Sequence, residues 1–183
     1  MNNKIHMYEN ILIRPFKRES DDIEELTRLL NRAYKELDDM GFKYHATYQN
    51  SDVTRQRIDG AYCLVGIHND KIIATITYYK PGIKSGSEWY EKEDVGVVGQ
   101  FGVLPGYRSI GLGAYMMDMV EAAAHSEGTA EIALDTAEGT QHLRSYYGRR
   151  GYRFIGYVDW EMTNYESVIM SKNLNGLSLK TDS

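Results

Sequence analysis

The stretch Gln100-Phe101-Gly102-Val103-Leu104-Pro105-Gly106-Tyr107-Arg108-Ser109-Ile110-Gly111-Leu112-Gly113-Ala114 gathers the residue types that can hold an anion. A strand-like run ends at a Pro-Gly turn, an arginine follows, and two glycines stand where an amphipathic helix opens. Glycine lets the backbone approach a ligand closely, a helix start presents N–H groups without intrahelical partners, and Arg108 adds a fixed positive charge. A diphosphate is the natural guest. Two other phosphate-binding patterns fail on these letters. A dinucleotide-binding fingerprint needs Gly or Ala three residues after Gly113, where Met116 stands, and it normally follows the first strand of a parallel unit. A P-loop would end in Gly-Lys-Ser/Thr, which does not occur. A plain strand-to-helix turn explains either glycine alone but leaves the spacing from Arg108 a coincidence.

The elements that must position this loop follow from apolar periodicity. Ile11 to Pro15 reads as a short strand, with Ser20 as N-cap of a helix whose first turn holds Asp21, Asp22, Glu24 and Glu25. Ile23, Leu26, Leu30, Ala33, Tyr34 and Leu37 then recur at helical spacing until Gly41. A short helix is expected from about Asp52 to Ile58. Tyr62 to Ile67 and Ile72 to Tyr79 form a hairpin pattern around His68-Asn69-Asp70-Lys71, Pro81 to Asp94 is a long polar connection, and Val95 to Leu104 is the next strand. Three consecutive strands before a helix predict an antiparallel meander. Leu112, Tyr115, Met116, Met119, Val120 and Ala123 form a helical stripe ending at Gly128; Ile132 to Thr136 is a strand; Thr140 caps a helix running to Arg150, with Gly151 just past its end. Tyr152 to Trp160 and Tyr165 to Ser171 close the chain as an antiparallel pair, and Asn173 to Ser183 reads as a loose tail.

At this point the chain resembles the GCN5-related N-acetyltransferases, the GNAT superfamily. Arg108-Ser109-Ile110-Gly111-Leu112-Gly113 matches that family's Arg/Gln-x-x-Gly-x-Gly/Ala loop position for position. Downstream, Tyr146-Tyr147-Gly148-Arg149-Arg150-Gly151-Tyr152 is similar to its Leu-Tyr-x-x-x-Gly-Phe signature, with Tyr146 for Leu and Tyr152 for Phe. The resemblance spans roughly Ile11 to Lys172. It implies an α/β (α+β) fold with a mixed, mostly antiparallel sheet flanked by helices, in one domain over 1–183 with a core of about 11–172 and a flexible tail at 173–183. It also implies an acetyl-CoA-dependent acyltransferase acting in a ternary complex. Backbone groups of Phe101, Gly102 and Val103 would lie along the pantetheine arm. Backbone N–H groups from Ser109 through Ile110, Gly111, Leu112 and Gly113 to Ala114 would hold the pyrophosphate, with the Arg108 side chain nearby. Tyr147 aligns with the tyrosine that protonates the departing thiolate in many members, while Tyr146 takes a position usually filled by a packing residue. Where the family often has a cofactor-contacting Asn, this chain has Thr140, whose hydroxyl reaches less far.

Acetyl transfer to an amine needs a neutral amine, a polarised carbonyl and a protonated leaving thiolate. A Lys-like amine titrates near pKa 10.4, so a base or desolvation must help. Val97, Val98, Gly99 and Gln100 offer no carboxylate on the strand where several family members carry a Glu. Glu88, Glu91, Glu93, Asp94, Asp135 and Glu138 are the acidic candidates; His45, His125 and His142 titrate in range; a water chain without a single base is equally compatible. Tyr44, Tyr48, Tyr79, Trp89, Trp160 and Tyr165 could line an acceptor pocket through cation–π contacts, although core packing accounts for most such rings.

The composition sets limits. The chain has 183 residues, 42% hydrophobic and 26% charged, with 17 Gly and 3 Pro, which excludes disordered, collagenous and solenoid classes. A single domain of this length buries about 70% of its unfolded surface without staples. Cys63 is the only cysteine, so there is no intrachain disulfide, and no Cys/His cluster suggests a metal. Lys+Arg 21 against Asp+Glu 26 gives a net charge of −5, which disfavours general nucleic-acid binding and places a small cationic amine, such as a polyamine or aminoglycoside, slightly ahead of a protein N-terminus or lysine as acceptor. Met1 to Asn10 lacks a basic start followed by an apolar stretch, and no run of about 18 apolar residues occurs, so a soluble cytoplasmic protein without membrane contact is expected. Strand edges near Tyr152 to Lys172 invite pairing into a homodimer. A CoA-binding regulatory module without turnover is the competing class, and Tyr147 argues against it.

Overall fold

The computed structural model describes residues 6–176. Their strands are β1 (His6–Tyr8), β2 (Ile11–Pro15), β3 (Tyr62–His68), β4 (Lys71–Tyr79), β5 (Val95–Val103), β6 (Glu131–Ala137), β7 (Arg153–Asp159) and β8 (Glu166–Asn173). They form one sheet in the order β1-β2-β3-β4-β5-β6-β8-β7. Every neighbouring pair is antiparallel except β5 and β6. The helices are α1 (Ile23–Asp39), α2 (His45–Tyr48), α3 (Ser51–Ile58), α4 (Leu112–Ser126) and α5 (Gln141–Arg149).

The sheet is covered on both faces, which is why its central strands read as continuous apolar runs. Along β3, Cys63 and Val65 pack with Leu26, Leu29 and Leu30 of α1, whereas Leu64 between them packs with Leu112, Met116 and Met117 of α4. Alternate side chains of one strand thus enter opposite layers. At the β3–β4 hairpin, Asn69 and Asp70 take φ of +49° and +58°, the paired left-handed residues of a tight turn whose twist matches its strands.

Several boundaries differ from the sequence reading, each for a local reason. The N-cap of α1 is Asp22, which accepts from the Glu24 N–H at 2.8 Å, not Ser20. Ser20 lies in a turn closed onto the Lys17 carbonyl, and Asp21 is committed to a two-pronged pair with Arg14 at 2.6 and 2.8 Å. Thr140 holds the N-cap position of α5, but its hydroxyl donates back to the Ala137 carbonyl at 2.6 Å instead of capping. At the C-terminal end, Asn173 belongs to β8, and Leu174 is buried with its N–H on the Ala130 carbonyl at 2.8 Å. The rest of the expected tail, 177–183, lies outside the described residues, as do residues 1–5.

The feature that shapes the site is where β5 leaves β6. The two pair only from Val95 to Val97, opposite Glu131 to Ala133. Between the pairs Thr77–Gly99 and Thr75–Gly102, β5 carries one residue more than β4, and Gln100 in that bulge has φ +49°. A bulge bends its strand. Beyond it β5 follows β4, while β6 continues beside β8 from Leu134 to Ala137, so the sheet splits into an open wedge.

Candidate active site

Two cavities occupy this wedge. The first, about 540 Å³, runs from the β5–α4 loop to Tyr147, and the second, about 410 Å³, lies on the side of α2, α3 and the β4–β5 connection. Tyr34, Tyr44 and Asp135 line both. The two cavities therefore adjoin at these three side chains.

The loop residues singled out in the sequence divide. Phe101, Gly102 and Val103 line the first cavity from β5, Arg108 and Ser109 from the loop, and Gly111, Gly113 and Ala114 from the start of α4. Tyr147 closes it from α5. Ile110, Leu112 and Thr140 do not line it. Ile110 is exposed and offers its carbonyl to the Tyr8 hydroxyl at 2.5 Å, Leu112 is buried in the core, and the Thr140 hydroxyl faces Ala137 and Thr136.

The local backbone explains the loop. Pro105–Tyr107 forms a single tight turn, Ser109 follows at φ +65°, and Gly111 at φ +89° is the N-cap of α4. No side chain caps α4. Its first N–H groups therefore face the cavity mouth without side-chain partners, where a helix dipole favours an anion. A methyl group at Gly111 would come within 2.6 Å of the Tyr8 Oη, and one at Gly113 within 3.2 Å of Phe101. This cradle of closely approached backbone and free amides fits a diphosphate. Arg108 stands beside it fully engaged: Nε donates to the Val103 carbonyl at 3.1 Å, Nη2 to the Ala33 carbonyl at 2.7 Å, and Nη1 pairs with Glu36.

Tyr147 is 9% exposed and meets Tyr146 and Tyr152 edge-on at 5.2 and 5.8 Å. Burial, reinforced by the neighbouring phenols and Asp135, pushes its pKa well above the ordinary range, so it holds its proton at neutral pH.

Among the candidate bases only Asp135 stands where the cavities meet. Its Oδ1 accepts from the Tyr90 hydroxyl at 2.9 Å and its Oδ2 from the Trp160 Nε1 at 3.0 Å. Burial raises its pKa against the opposing pull of these bonds and of Arg57 and Lys84. Glu138 is paired with Arg144 at 2.9 Å. His142 lines the first cavity and His45 the second, where burial and Arg57 lower its pKa. His125, Glu88, Glu91, Glu93 and Asp94 line neither.

Of the six rings considered for an acceptor pocket, Tyr44, Tyr79, Trp160 and Tyr165 line the second cavity. Tyr48 is instead exposed with its hydroxyl on the Met162 carbonyl at 2.7 Å, and Trp89 lies beneath Lys92. Sequence reading missed Tyr34, Tyr90, Arg57 and Lys84. No motif marks them, and only the tertiary fold brings α3 and the β4–β5 connection to the wedge.

The architecture and the loop define an acyltransferase. A family model for the acetyltransferase (GNAT) family matches residues 23–152, and the chain belongs to that family. It is similar to the S-(2-succino)cysteine N-acetyltransferase of Bacillus subtilis (strain 168), 27% identical over 140 residues, covering 75% of this chain and 82% of that protein. In fold it is similar to an acetyltransferase from Streptococcus agalactiae 2603, with TM-score 0.69 and 18% identity over 91% of this chain and 99% of that one. A GNAT family acetyltransferase from Elizabethkingia anophelis, whose structure has acetyl-CoA bound, gives TM-score 0.61 at 14% identity over 91% and 99% of the two chains. Among the described residues no group of three or more His, Cys, Asp or Glu could hold a metal ion, and no helix is long and apolar enough to cross a membrane.

Proposed function

We propose that this protein transfers the acetyl group of acetyl-CoA to a primary amine, with donor and acceptor bound together in the two cavities. The observation that carries this reading is their meeting at Asp135, with the anion cradle at one end and a separate aromatic pocket at the other. A regulatory CoA-binding module would need only the first. One sheet carries both cavities, so the described residues are read as one acetyltransferase domain.

In this reading the amides of the loop and first turn of α4, from Ser109 to Ala114, hold the diphosphate, and the side of β5 turned away from β4 at Phe101 and Val103 receives the pantetheine arm. The Val103 carbonyl already accepts from Arg108, which leaves its N–H as the group for that arm. When bound, acetyl-CoA supplies a thioester carbonyl open to attack by an amine. Asp135 takes the proton that the acceptor nitrogen must lose, its raised pKa bringing it nearer to the task. As the N–C bond forms and the C–S bond breaks, Tyr147 gives its proton to the departing sulfur. A thiol near pKa 8.5 leaves readily, so this last step assists more than it enables.

The relative from Bacillus subtilis acts, by its name, on S-(2-succino)cysteine. That acceptor is not a polyamine or aminoglycoside. The cationic acceptor expected from the net charge would meet Arg57 and Lys84 in the second cavity, and local charge outweighs a screened average. We also read the protein as cytoplasmic, on its lone buried Cys63, and as able to dimerise along β7, the outer strand, where Phe154 and Tyr157 are exposed.

Calorimetric titration with acetyl-CoA tests the donor site, beside an Arg108→Glu, Gly111→Asp variant. Saturable binding that the variant loses supports it; no binding by folded wild-type protein overturns it.

A further inference from the structure

The second cavity contains a charge imbalance that the fold itself does not explain. Arg57 of α3 and Lys84 of the β4–β5 connection both line it and are half-buried. Elsewhere in this protein, cations drawn out of water are matched to carboxylates. Arg14 pairs with Asp21, Arg150 with Asp118 and Glu121, and Lys172 with Glu121, and the cationic side chains of these pairs are 12–17% exposed. Among the described residues Arg57 and Lys84 have no such partner.

What holds them is neutral. Arg57 donates to the Gln49 Oε1 at 2.9 Å, and the Gln100 amide, bonded to Gln49 at 2.9 Å, lies against the same guanidinium. Gln49 is in turn fastened by a bond to Thr54 at 2.8 Å. Lys84 Nζ rests over the Tyr79 ring, 4.1 Å from its centre. Amides and a ring fix the two cations in place, and Asp135, which acts on both electrostatically without an ion-pair contact, offsets at most one of the two charges. Burying charge without a counter-ion is costly, and a site built this way is completed by an anion.

Among the described residues Asp135 is the only acid on the cavity wall. It accepts from the neutral donors Tyr90 and Trp160, lines both cavities, and makes no ion pair with either cation among the described residues. The cavity therefore carries two positive charges and one carboxylate. This pattern suits a molecule with one amine, placed at Asp135, and one or more carboxylates.

We propose that the acceptor is a small carboxylate-bearing amine of the amino-acid type, and that Arg57 and Lys84 select it by binding its carboxylates. The proposal rests on the acetyltransferase reading for its amine, but the anion site stands on the cavity lining alone. Arg57, planar and held from behind, would take a carboxylate in a two-pronged bond; Lys84, on its flexible stem, would act as a point charge. Polyamines and other polycations are rejected by the same two residues.

The test has two arms. In the first, glutarate, which has no amine, is titrated calorimetrically into the wild type and into Arg57→Gln and Lys84→Met variants. Saturable binding that each variant weakens about 10-fold is expected for the loss of one charge-assisted bond. In the second, CoA release from acetyl-CoA is followed with L-aspartate, L-glutamate and S-carboxymethyl-L-cysteine, against L-asparagine, L-glutamine and spermidine. The acids should be used at least about 10-fold better than the amides and spermidine, and the two variants should raise KM for the acids with KM for acetyl-CoA unmoved. Absent glutarate binding, equal use of acids and amides, or a preference for spermidine overturns the proposal. Failure of acetyl-CoA to bind, with glutarate still binding through Arg57 and Lys84, would overturn the transferase reading and leave the carboxylate site standing.

Discussion

Arg108 donates from Nε to the carbonyl of Val103, five residues back and 3.1 Å away, so the loop's arginine is a strut holding the end of β5 as well as a charge beside the anion cradle. With Nη2 on the Ala33 carbonyl at 2.7 Å, it also ties α1 to the loop. Arg108→Gln should lower stability by about 1–3 kcal/mol, the cost of leaving such carbonyls without a donor, and weaken acetyl-CoA binding through loop movement as well as lost charge. Urea unfolding beside calorimetry checks this. Unchanged stability with weakened binding would assign Arg108 to the ligand alone.

Gly111 is required twice over, by its φ of +89° and by the Tyr8 Oη that a methyl would meet at 2.6 Å. Gly111→Ala should cost about 1–2 kcal/mol from the left-handed backbone alone. Adding Tyr8→Phe removes the closest clash but not that strain. Acetyl-CoA affinity should fall in both variants, since both disturb the first amides of α4; affinity equal to wild type in either would show that the loop tolerates the side chain.

Asp135→Asn should keep the fold and reduce kcat by about 10²–10⁴-fold if Asp135 takes the acceptor's proton. His45→Gln, on the wall of the same cavity, should retain most activity. The reverse ranking would move the base to His45. Asp135 has its pKa raised by burial, so the folded state binds that proton more tightly than the unfolded chain does. Its contribution to stability is thus present below about pH 4 and is lost as pH rises through the raised value. Asp135→Asn should flatten that part of the stability profile, measured by urea unfolding across acidic pH.

Tyr147→Phe removes a proton donor but no part of the anion cradle. The expected result is a kcat lowered by about 10²-fold, the lower end for general acid catalysis because the thiolate leaves readily, with acetyl-CoA binding retained. Steady-state kinetics and calorimetry together decide it. A variant with full activity would reassign Tyr147 to packing against Tyr146 and Tyr152.

Lys84 has its pKa lowered to about 8, first by burial and then by Arg57, with Asp135 opposing. The groups facing it are Arg57 from α3, Asp135 from β6, Tyr79 from β4 and His45 from α2. For a carboxylate-bearing amine, kcat/KM should develop a falling limb as pH rises through about 8, where Lys84 loses its charge in the free enzyme. Lys84→Arg should carry the plateau to higher pH, and Lys84→Met should abolish the limb. For stability the sign is opposite. The unfolded chain binds the Lys84 proton more tightly, so stability rises from about pH 8 up to the ordinary lysine value of 10.5.

The sequence by itself determined the elements and marked the loop proposed to hold the donor. Periodic apolar residues set α1, α4 and the β3–β4–β5 meander, because burial of one face dictates spacing along the chain. The loop from Arg108 to Ala114 was legible for a related reason: its chemistry comes from the backbone, and contiguous glycines disclose where a backbone can approach a ligand. The acceptor side has no such local signature. Arg57, Lys84 and Asp135 come from α3, a long connection and β6; Asp135 stood in the sequence as one of several candidate bases, while Arg57 and Lys84 look there like ordinary surface charges. Only the bulge at Gln100, by turning β5 away from β6, opens the space that makes them neighbours. Their proposed role depends on which partners they lack, and partnerships between charges distant in the chain are decided by the tertiary structure alone. The proposed carboxylate-bearing acceptor departs from the cationic one expected from composition for the same reason: net charge averages over the whole surface, whereas recognition depends on the few charges buried where the substrate lies.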